Sequence, residues 1–403
     1  MIPFSPPRID NKILEEVKET LLSGWITTGP KTKLFEEHIT KYCGHERTIC
    51  VNSATAGLEI VLSWFGVGKG DEVILPAYTY CAIANAVVRL NAKPVMVDVE
   101  DDFTISPDEI KKAVSSKTKV IIPVDVGGYP ADYTRIYEVI NDLNIKKKFR
   151  PSNNIQKEIG RILIIADAAH SLGATYEGKK TGSLADITVF SFQATKNITT
   201  SEGGAICLNL PKSMDCDEIY KKITIKSFQG QTKDSYSKTK GDSWRYDVLE
   251  AGFKSNMTDL QAAIGLVELQ RYEDDMLPKR KYIFNKYYSL LKDKEWAVLP
   301  PADSAQRKSS NNFFMLRIKG ADEQIRDEII KKVYEDGASL NVHFIPLPLL
   351  TLYKKLNYKI EDYPKSYELF CNEVSLPIYY DLTDENIDFI INSLIKNVDS
   401  VLD

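Results

Sequence analysis

The chain has 403 residues, 43% of them hydrophobic and 27% charged, with a formal net charge of −4. That length exceeds one small core and supports a large domain with a smaller companion, while the balance of residues is that of a soluble globular protein and lacks the basic excess of a nucleic-acid binder. The six cysteines (Cys43, Cys50, Cys81, Cys207, Cys216 and Cys371) are scattered, with no Cys-x-x-Cys pair and no histidine at metal spacing, so no metal site and a reduced, cytoplasmic compartment are expected. Met1–Pro7 has neither the basic nor the apolar stretch of an export signal, and no apolar run approaches the ~20 residues of a membrane span, so neither secretion nor membrane insertion is expected.

Residues 10–22 read as an amphipathic helix with Ile13, Leu14, Val17 and Leu21 on one face, followed by the turn-rich Ser23-Gly24-Trp25-Ile26-Thr27-Thr28-Gly29-Pro30 and a second helix over 31–42. Short apolar runs then alternate with helical periods. Strands are expected at Thr48–Val51, Glu72–Leu75, Pro94–Val97, Val120–Val124, Ile162–Ala166 and Ile187–Phe192, a rhythm that predicts βαβ units and an α/β fold with a mainly parallel sheet. The polar stretch 143–160, with Lys146-Lys147-Lys148 and Arg150, reads as a solvated surface insertion. A long helical pattern from Met257 to about Leu291 carries the chain out of a first domain, residues 1–256. Residues 257–403 then form this linking helix and a smaller α+β unit, with strands at Phe313–Ile318 and near Ser339–Phe344 and helices near Asp322–Tyr334, Tyr363–Glu373 and Thr383–Val398.

The most informative stretch is Ser191-Phe192-Gln193-Ala194-Thr195-Lys196 through Glu202-Gly203-Gly204, a polar, glycine-edged loop with one lysine between two apolar runs. Upstream, a buried strand delivers Asp167 and His170 at its carboxyl end. A lysine able to form a Schiff base and an aspartate able to hold a pyridinium nitrogen are the pair that pyridoxal 5′-phosphate (PLP) chemistry requires. Cys50-Val51-Asn52-Ser53-Ala54-Thr55-Ala56 joins a strand to a helix, so the Ala54 and Thr55 amides lie where a helix amino terminus attracts phosphate; plain capping by Ser53 or Thr55 is the alternative. Ser191 lies on the strand leading to Lys196 and could add a hydroxyl to the same phosphate, and Tyr80 lies just past a strand end where its ring could stack on a planar cofactor. By contrast, Gly66-Val67-Gly68-Lys69-Gly70 follows a helix and precedes a strand, the reverse of a nucleotide-binding loop, and reads as a helix stop.

In this order the residues resemble the DegT/StrS family of PLP-dependent nucleotide-sugar aminotransferases, nearly end to end. Ser23–Pro30 is similar to the family's motif at the substrate mouth, Asn52–Ala56 to its phosphate turn, Pro76–Ala82 to its aromatic segment with Tyr80 as the stacking residue, and Asp167–His170 to its pyridinium aspartate and cofactor-facing residue. The resemblance implies a fold-type I, aspartate aminotransferase-like enzyme. A large domain with a mainly parallel, seven-stranded sheet sandwiched by helices would carry a smaller C-terminal α+β domain. Lys196 and Asp167 would be catalytic; Ala54, Thr55, Tyr80, His170 and Ser191 would bind the cofactor; Trp25, Thr27, Thr28, Gln193 and His343 would meet substrate. Gly252–Met257 resembles the loop by which a neighbouring subunit reaches the phosphate, with Lys254 and Asn256 at the positions of the usual contacts, so a homodimer with shared sites is implied.

The implied reaction moves the amine of L-glutamate to a nucleotide-linked keto-deoxysugar at carbon 3 or 4, with pyridoxamine 5′-phosphate carrying it between half-reactions, and yields an amino sugar nucleotide for a surface glycan or natural product. The chain departs from the family pattern at Gln193 and Asp125, where histidine is frequent, at Lys254 and Asn256, and at Pro348, where a second histidine of the Val342–Pro348 loop is usual. Relatives that dehydrate sugars have histidine in place of the lysine, which Lys196 argues against, and intact Lys196, Asp167 and Ser191 argue against a non-catalytic regulator or scaffold.

Overall fold

The computed structural model describes residues 1–233 and 244–402. Its centre is a seven-stranded sheet. The strands are β1 (Arg47–Val51), β2 (Glu72–Pro76), β3 (Lys93–Val97), β4 (Thr118–Ile121), β5 (Leu163–Asp167), β6 (Ile187–Ser191) and β7 (Gly204–Leu208). Their order is β1-β7-β6-β5-β4-β2-β3. Pairing is parallel from β3 through β2, β4 and β5 to β6, and β4 and β5, at the middle of the sheet, are buried along their whole length. β7 runs antiparallel to both β6 and β1. The segment from Phe192 to Gly203 that joins β6 to β7 contains no helix, and without a crossover the chain must return antiparallel. This strand was absent from the sequence reading, although Ala205-Ile206-Cys207-Leu208 is apolar and wholly buried.

A second core lies under the carboxyl-terminal part, where Ile283, Leu316, Ile329, Val374 and Ile390 pack together. There a three-stranded sheet comprises β8 (Ala297–Val298), β9 (Phe314–Ile318) and β10 (Glu373–Leu376), with β9 central. Helices Glu323–Asp336 and Asp384–Leu402 contribute Ile329 and Ile390 to that core. Between the two units the expected long helix is interrupted: Asp259–Arg271 and Leu277–Leu291 are joined through a π-turn at Tyr272–Met276, just before Pro278, whose ring cannot continue regular helical bonding.

The structure corrects four expectations. The strand near Ser339–Phe344 does not form: Asn341 exchanges a single pair of backbone bonds with Ser375, and the remaining residues are irregular. The place beside β9 is taken by Glu373–Leu376, whose first residue the sequence assigns to the helix near Tyr363–Glu373; the helix stops at Asn372, and the strand runs into Pro377, which favours extended backbone at Leu376. Segment 143–160 is not a solvated loop: it holds helices Leu143–Lys146 and Asn154–Ile159, anchored by buried Ile145, Phe149 and Ile159, while Lys146–Lys148 stay in solvent. On helix Asn11–Leu22 only Ile13 and Thr20 are buried, against Asp259–Arg271, and Leu14 and Leu21 are over half exposed within one chain.

Candidate active site

Strand register builds the cavity floor. Gly204, at the start of β7, pairs with Val51 of β1 on one side and Ser191 of β6 on the other. The turn Asn52–Ser53 therefore passes directly over Gly204: a Cβ there would lie 2.6 Å from the Ala54 nitrogen and 2.8 Å from the Ser53 carbonyl carbon, which is why only glycine fits. Beyond the turn, helix Ala54–Trp64 begins. Ser53 caps it, its hydroxyl accepting from the Ala56 N–H at 3.2 Å and its carbonyl from Gly57. The Ala54 and Thr55 amides are the ones this cap leaves unused, and both residues line a cavity of about 450 Å³ together with Ser191.

Lys196 enters the same cavity from the β6–β7 connection, and its position is fixed by its neighbours. Its N–H donates to the Gln193 carbonyl, while the adjacent Asn197 side chain donates to the carbonyls of His170 and Leu172 and to Tyr272 Oη at 3.0–3.2 Å. From below, the buried Arg280 guanidinium reaches the carbonyls of Lys196, Asn312 and Ile378, tying the lysine turn to the second unit. The Lys196 Nζ ends 2.9 Å from His170 Nε2. Asp167, at the end of β5, is buried beside them with one oxygen accepting from the Ala169 N–H at 3.0 Å.

Burial dominates the electrostatics here. It pushes the Lys196 ammonium down to about 8, against the stabilising charges of Asp167 and Glu202, so far more of the amine is uncharged near neutral pH than in an ordinary lysine. Burial likewise raises the Asp167 carboxyl, opposed by the Ala169 N–H and by Lys196. His170 is held neutral by burial and by the nearby Lys196 and His343, and its Nδ1 has no partner although it is fully enclosed. Asp125, where the family pattern has histidine, does not line the cavity: it is buried behind Asp167 and accepts from the Ala131 N–H, Tyr133 Oη and Ser171 Oγ.

The floor fits PLP. Two helix-terminal amides, a serine hydroxyl and a position that only glycine can occupy form a phosphate cradle; a lysine whose proton affinity is lowered by burial can bond an aldehyde; a buried carboxylate can hold a ring nitrogen's proton.

Of the residues singled out from sequence, Ala54, Thr55, Tyr80, Asp167, His170, Ser191, Gln193, Lys196 and His343 line this one cavity. Tyr80 is largely exposed at its rim, 6.0 Å from the Phe344 ring. The Gln193 Oε1 is occupied by the N–H and hydroxyl of Thr195, at 3.0 and 2.7 Å. Trp25, Thr27, Thr28 and Asn256 do not border the cavity of their own chain. They gather instead at the start of helix Asp259–Arg271: Asn256 Nδ2 donates to Thr28 Oγ1 at 2.6 Å, Thr28 Oγ1 to the Met257 carbonyl, Trp25 Nε1 to the Thr28 carbonyl, and the Asp259 N–H to the Thr27 carbonyl. The reason is chain geometry: Asp259 caps helix Pro30–Cys43 by accepting from the Gly29, Lys31 and Thr32 amides, which draws the whole 25–30 turn to that helix end. Sequence reasoning missed Gly204, Glu202 and Thr79; the Glu202-Gly203-Gly204 run was the available signal for the first two.

Comparison with known proteins agrees with this geometry. The model of the DegT/DnrJ/EryC1/StrS aminotransferase family matches residues 7–147 and 149–395. The spore coat polysaccharide biosynthesis protein SpsC of Bacillus subtilis is 33% identical over 399 residues, covering 98% of this chain and 96% of SpsC. Among solved structures, Spr1654 of Streptococcus pneumoniae, named as a sugar aminotransferase and determined in PLP and PMP forms, is 42% identical with a TM-score of 0.94; its PLP form covers 99% of both chains. Helicobacter pylori PseC, an aminotransferase of pseudoaminic acid biosynthesis, is 25% identical with a TM-score of 0.84, covering 98% of this chain and 99% of PseC.

Proposed function

The chain belongs to the DegT/DnrJ/EryC1/StrS aminotransferase family and is a PLP-dependent sugar aminotransferase; from that premise we propose that it moves the amino group of L-glutamate to the ketone of a nucleotide-linked keto-deoxysugar, as a homodimer with shared sites. The observation that carries this reading is the meeting of a phosphate cradle, an uncharged-capable lysine and a buried carboxylate in one cavity, with room beyond them at Tyr80, Gln193 and His343.

When bound, the cofactor supplies an aldehyde carbon and an electron-withdrawing ring that makes the Cα proton of an attached amino acid acidic. The Ala54 and Thr55 amides and the Ser191 hydroxyl would hold its phosphate. Asp167 would keep the ring nitrogen protonated, because a close negative charge favours the cation. Lys196 Nζ would be the group that attaches the cofactor's aldehyde at rest and, once glutamate's amine takes its place, the base that takes the Cα proton; its lowered proton affinity favours that role near pH 8. The neutral His170 ring, 2.9 Å away, accepts from or donates to that amine and so orients it without competing for a full charge. Water would cleave the carbon–nitrogen link to free 2-oxoglutarate and leave the amine behind, and Lys196 would move the proton in the reverse direction when the keto sugar receives that amine with loss of water. Trp25, Thr27, Thr28 and Asn256 serve the cavity of a second subunit, which accounts for their gathering away from their own. The presence of Lys196 disfavours sugar dehydration, in which a histidine stands at that position.

The deciding experiment is the visible spectrum of the purified protein with PLP, before and after L-glutamate without any sugar. Bleaching of the lysine-bound band with release of 2-oxoglutarate is expected, and a screen of keto-sugar nucleotides then identifies the acceptor. A band that glutamate leaves untouched would refute glutamate as donor.

A further inference from the structure

His343 reaches the cavity wall from an irregular loop, yet three separate bonds fix it. The Tyr78 hydroxyl donates to its carbonyl at 2.6 Å, its N–H donates to Glu373 Oε2 at 2.9 Å, and its ring Nδ1 lies 2.9 Å from Ser375 Oγ. Ser375 Oγ is in turn 2.5 Å from Glu373 Oε1. Glu373 and Ser375 are wholly buried and two residues apart on β10, hence on the same face of the strand. The imidazole is stacked on Phe313, with centroids 4.1 Å apart and planes 16° apart, so it cannot turn over freely. With Nδ1 engaged, Nε2 is the ring nitrogen left for the cavity, whose lining His343 shares with Lys196 and Tyr80.

A serine hydroxyl has one proton and can give it to only one of two neighbours. If Ser375 donates to an ionised Glu373, it must accept from His343, so Nδ1 carries the hydrogen and Nε2 shows a lone pair. If Glu373 carries a proton and donates it to Ser375, the serine donates onward to Nδ1, and Nε2 carries the hydrogen. We propose that Glu373, acting through Ser375, is a positioning residue that sets whether His343 Nε2 offers a lone pair or an N–H to the substrate. The partner at Nε2 is accordingly a sugar hydroxyl in the first state and a carbonyl or carboxylate oxygen in the second; this assignment of partner rests on the proposed function, whereas the relay itself does not.

The surroundings permit both states. Facing Glu373 are the buried Arg326 guanidinium of helix Glu323–Asp336, which donates to the Phe370 carbonyl at 2.6 Å and lies 3.5 Å from the Glu373 carbonyl, the Tyr78 hydroxyl from beyond β2, and His343 itself. Burial raises the Glu373 carboxyl to about 8, against Ser375, the His343 N–H and Arg326, which lower it. His343 is pushed down to about 3 by burial and by Lys196, so its ring stays neutral while Glu373 titrates.

The test is nitrogen NMR of the PLP-loaded full-length protein with ¹⁵N-histidine, in which four histidines are present and His343 is identified by its loss in His343→Gln. With no substrate added, the wild-type ring should pass from the Nε2–H to the Nδ1–H tautomer as pH rises through about 8. Glu373→Gln should stay Nε2–H throughout, since the amide carbonyl takes the His343 N–H and the NH2 donates to Ser375. Ser375→Ala should lose the step, and Ser375→Thr, which restores the hydroxyl, should regain it. A wild-type tautomer that does not move with pH, or a step that survives in Ser375→Ala, overturns the relay. Failure of glutamate to bleach the cofactor band would instead overturn the functional reading, so the two are separable.

Discussion

The floor of the cavity is made from strand ends, whereas its wall at His343 is made from an irregular loop held by a buried carboxylate. On the floor, Asp167, Ser191 and Gly204 are placed by the hydrogen-bond ladder itself, and a one-residue slip would turn every side chain to the other face. On the wall no ladder exists beyond one bridge, and position depends on Tyr78, Glu373 and Ser375, contributed by both units of the fold. The chemistry common to a family can thus rest on the sheet, while the part that meets a variable substrate rests on side-chain contacts that single substitutions can re-aim.

If the floor carries the chemistry, its disruption must cost most. Lys196→Ala is expected to lower turnover by more than about 10⁴-fold, since covalent attachment and proton transfer are lost together, as measured by steady-state 2-oxoglutarate release. Turnover near the wild-type rate would remove this lysine from its role. Asp167→Asn should still bind PLP but slow the glutamate half-reaction by about 10²–10³-fold in stopped flow, because a neutral amide does not favour the ring cation. An unchanged rate would separate Asp167 from the ring.

Capture of PLP by the cofactor-free chain should follow the Lys196 amine. Its affinity for the proton is lowered to about 8, so the reactive neutral form is a minor fraction at neutral pH, half of the amine near pH 8 and nearly all of it well above. The capture rate should therefore rise about tenfold per pH unit up to about pH 8 and then level off. A flat profile between pH 6 and pH 8 would place the amine in a different environment.

Gly204→Ala should raise the dissociation constant of PLP about tenfold or more, or about 1.4 kcal/mol, because the added Cβ meets three backbone atoms, Ala54 N and Ser53 C of the turn and Phe190 O of β6. Absorbance titration measures this, and unaltered affinity would move the phosphate away from the 52–55 turn. On the wall, Tyr78→Phe should cost only about 1–2 kcal/mol of stability by thermal unfolding, from one carbonyl left without its donor, and leave the glutamate half-reaction nearly intact. A loss as large as that of Asp167→Asn would erase the distinction between floor and wall.

The floor was legible in the sequence because strand–turn–helix units announce themselves by apolar runs and polar punctuation, and a ligand residue at a strand end follows from that alone. Asp167, Ser191 and Lys196 were found in this way, and Ala54 and Thr55 by the same logic at a helix start. Gly204 escaped because β7 follows β6 after a short polar loop and runs antiparallel to it, outside the parallel βαβ rhythm from which the strands were read. Glu373 escaped because it lies at a helix-to-strand change, where a charged residue reads as exposed, and because its partner His343 is 30 residues away. Nothing local marks such a pair.

The sequence by itself determined the α/β architecture, the lysine and aspartate and the strand ends that carry them, because these depend on periodicity and on groups close together along the chain. Only the tertiary structure decided that Trp25, Thr27, Thr28 and Asn256 turn away from their own chain's cavity and that Glu373 and Ser375 stand behind His343. Those outcomes depend on how separately folded pieces dock, and packing is set by shape and by the partners left for each polar group, not by neighbours in sequence.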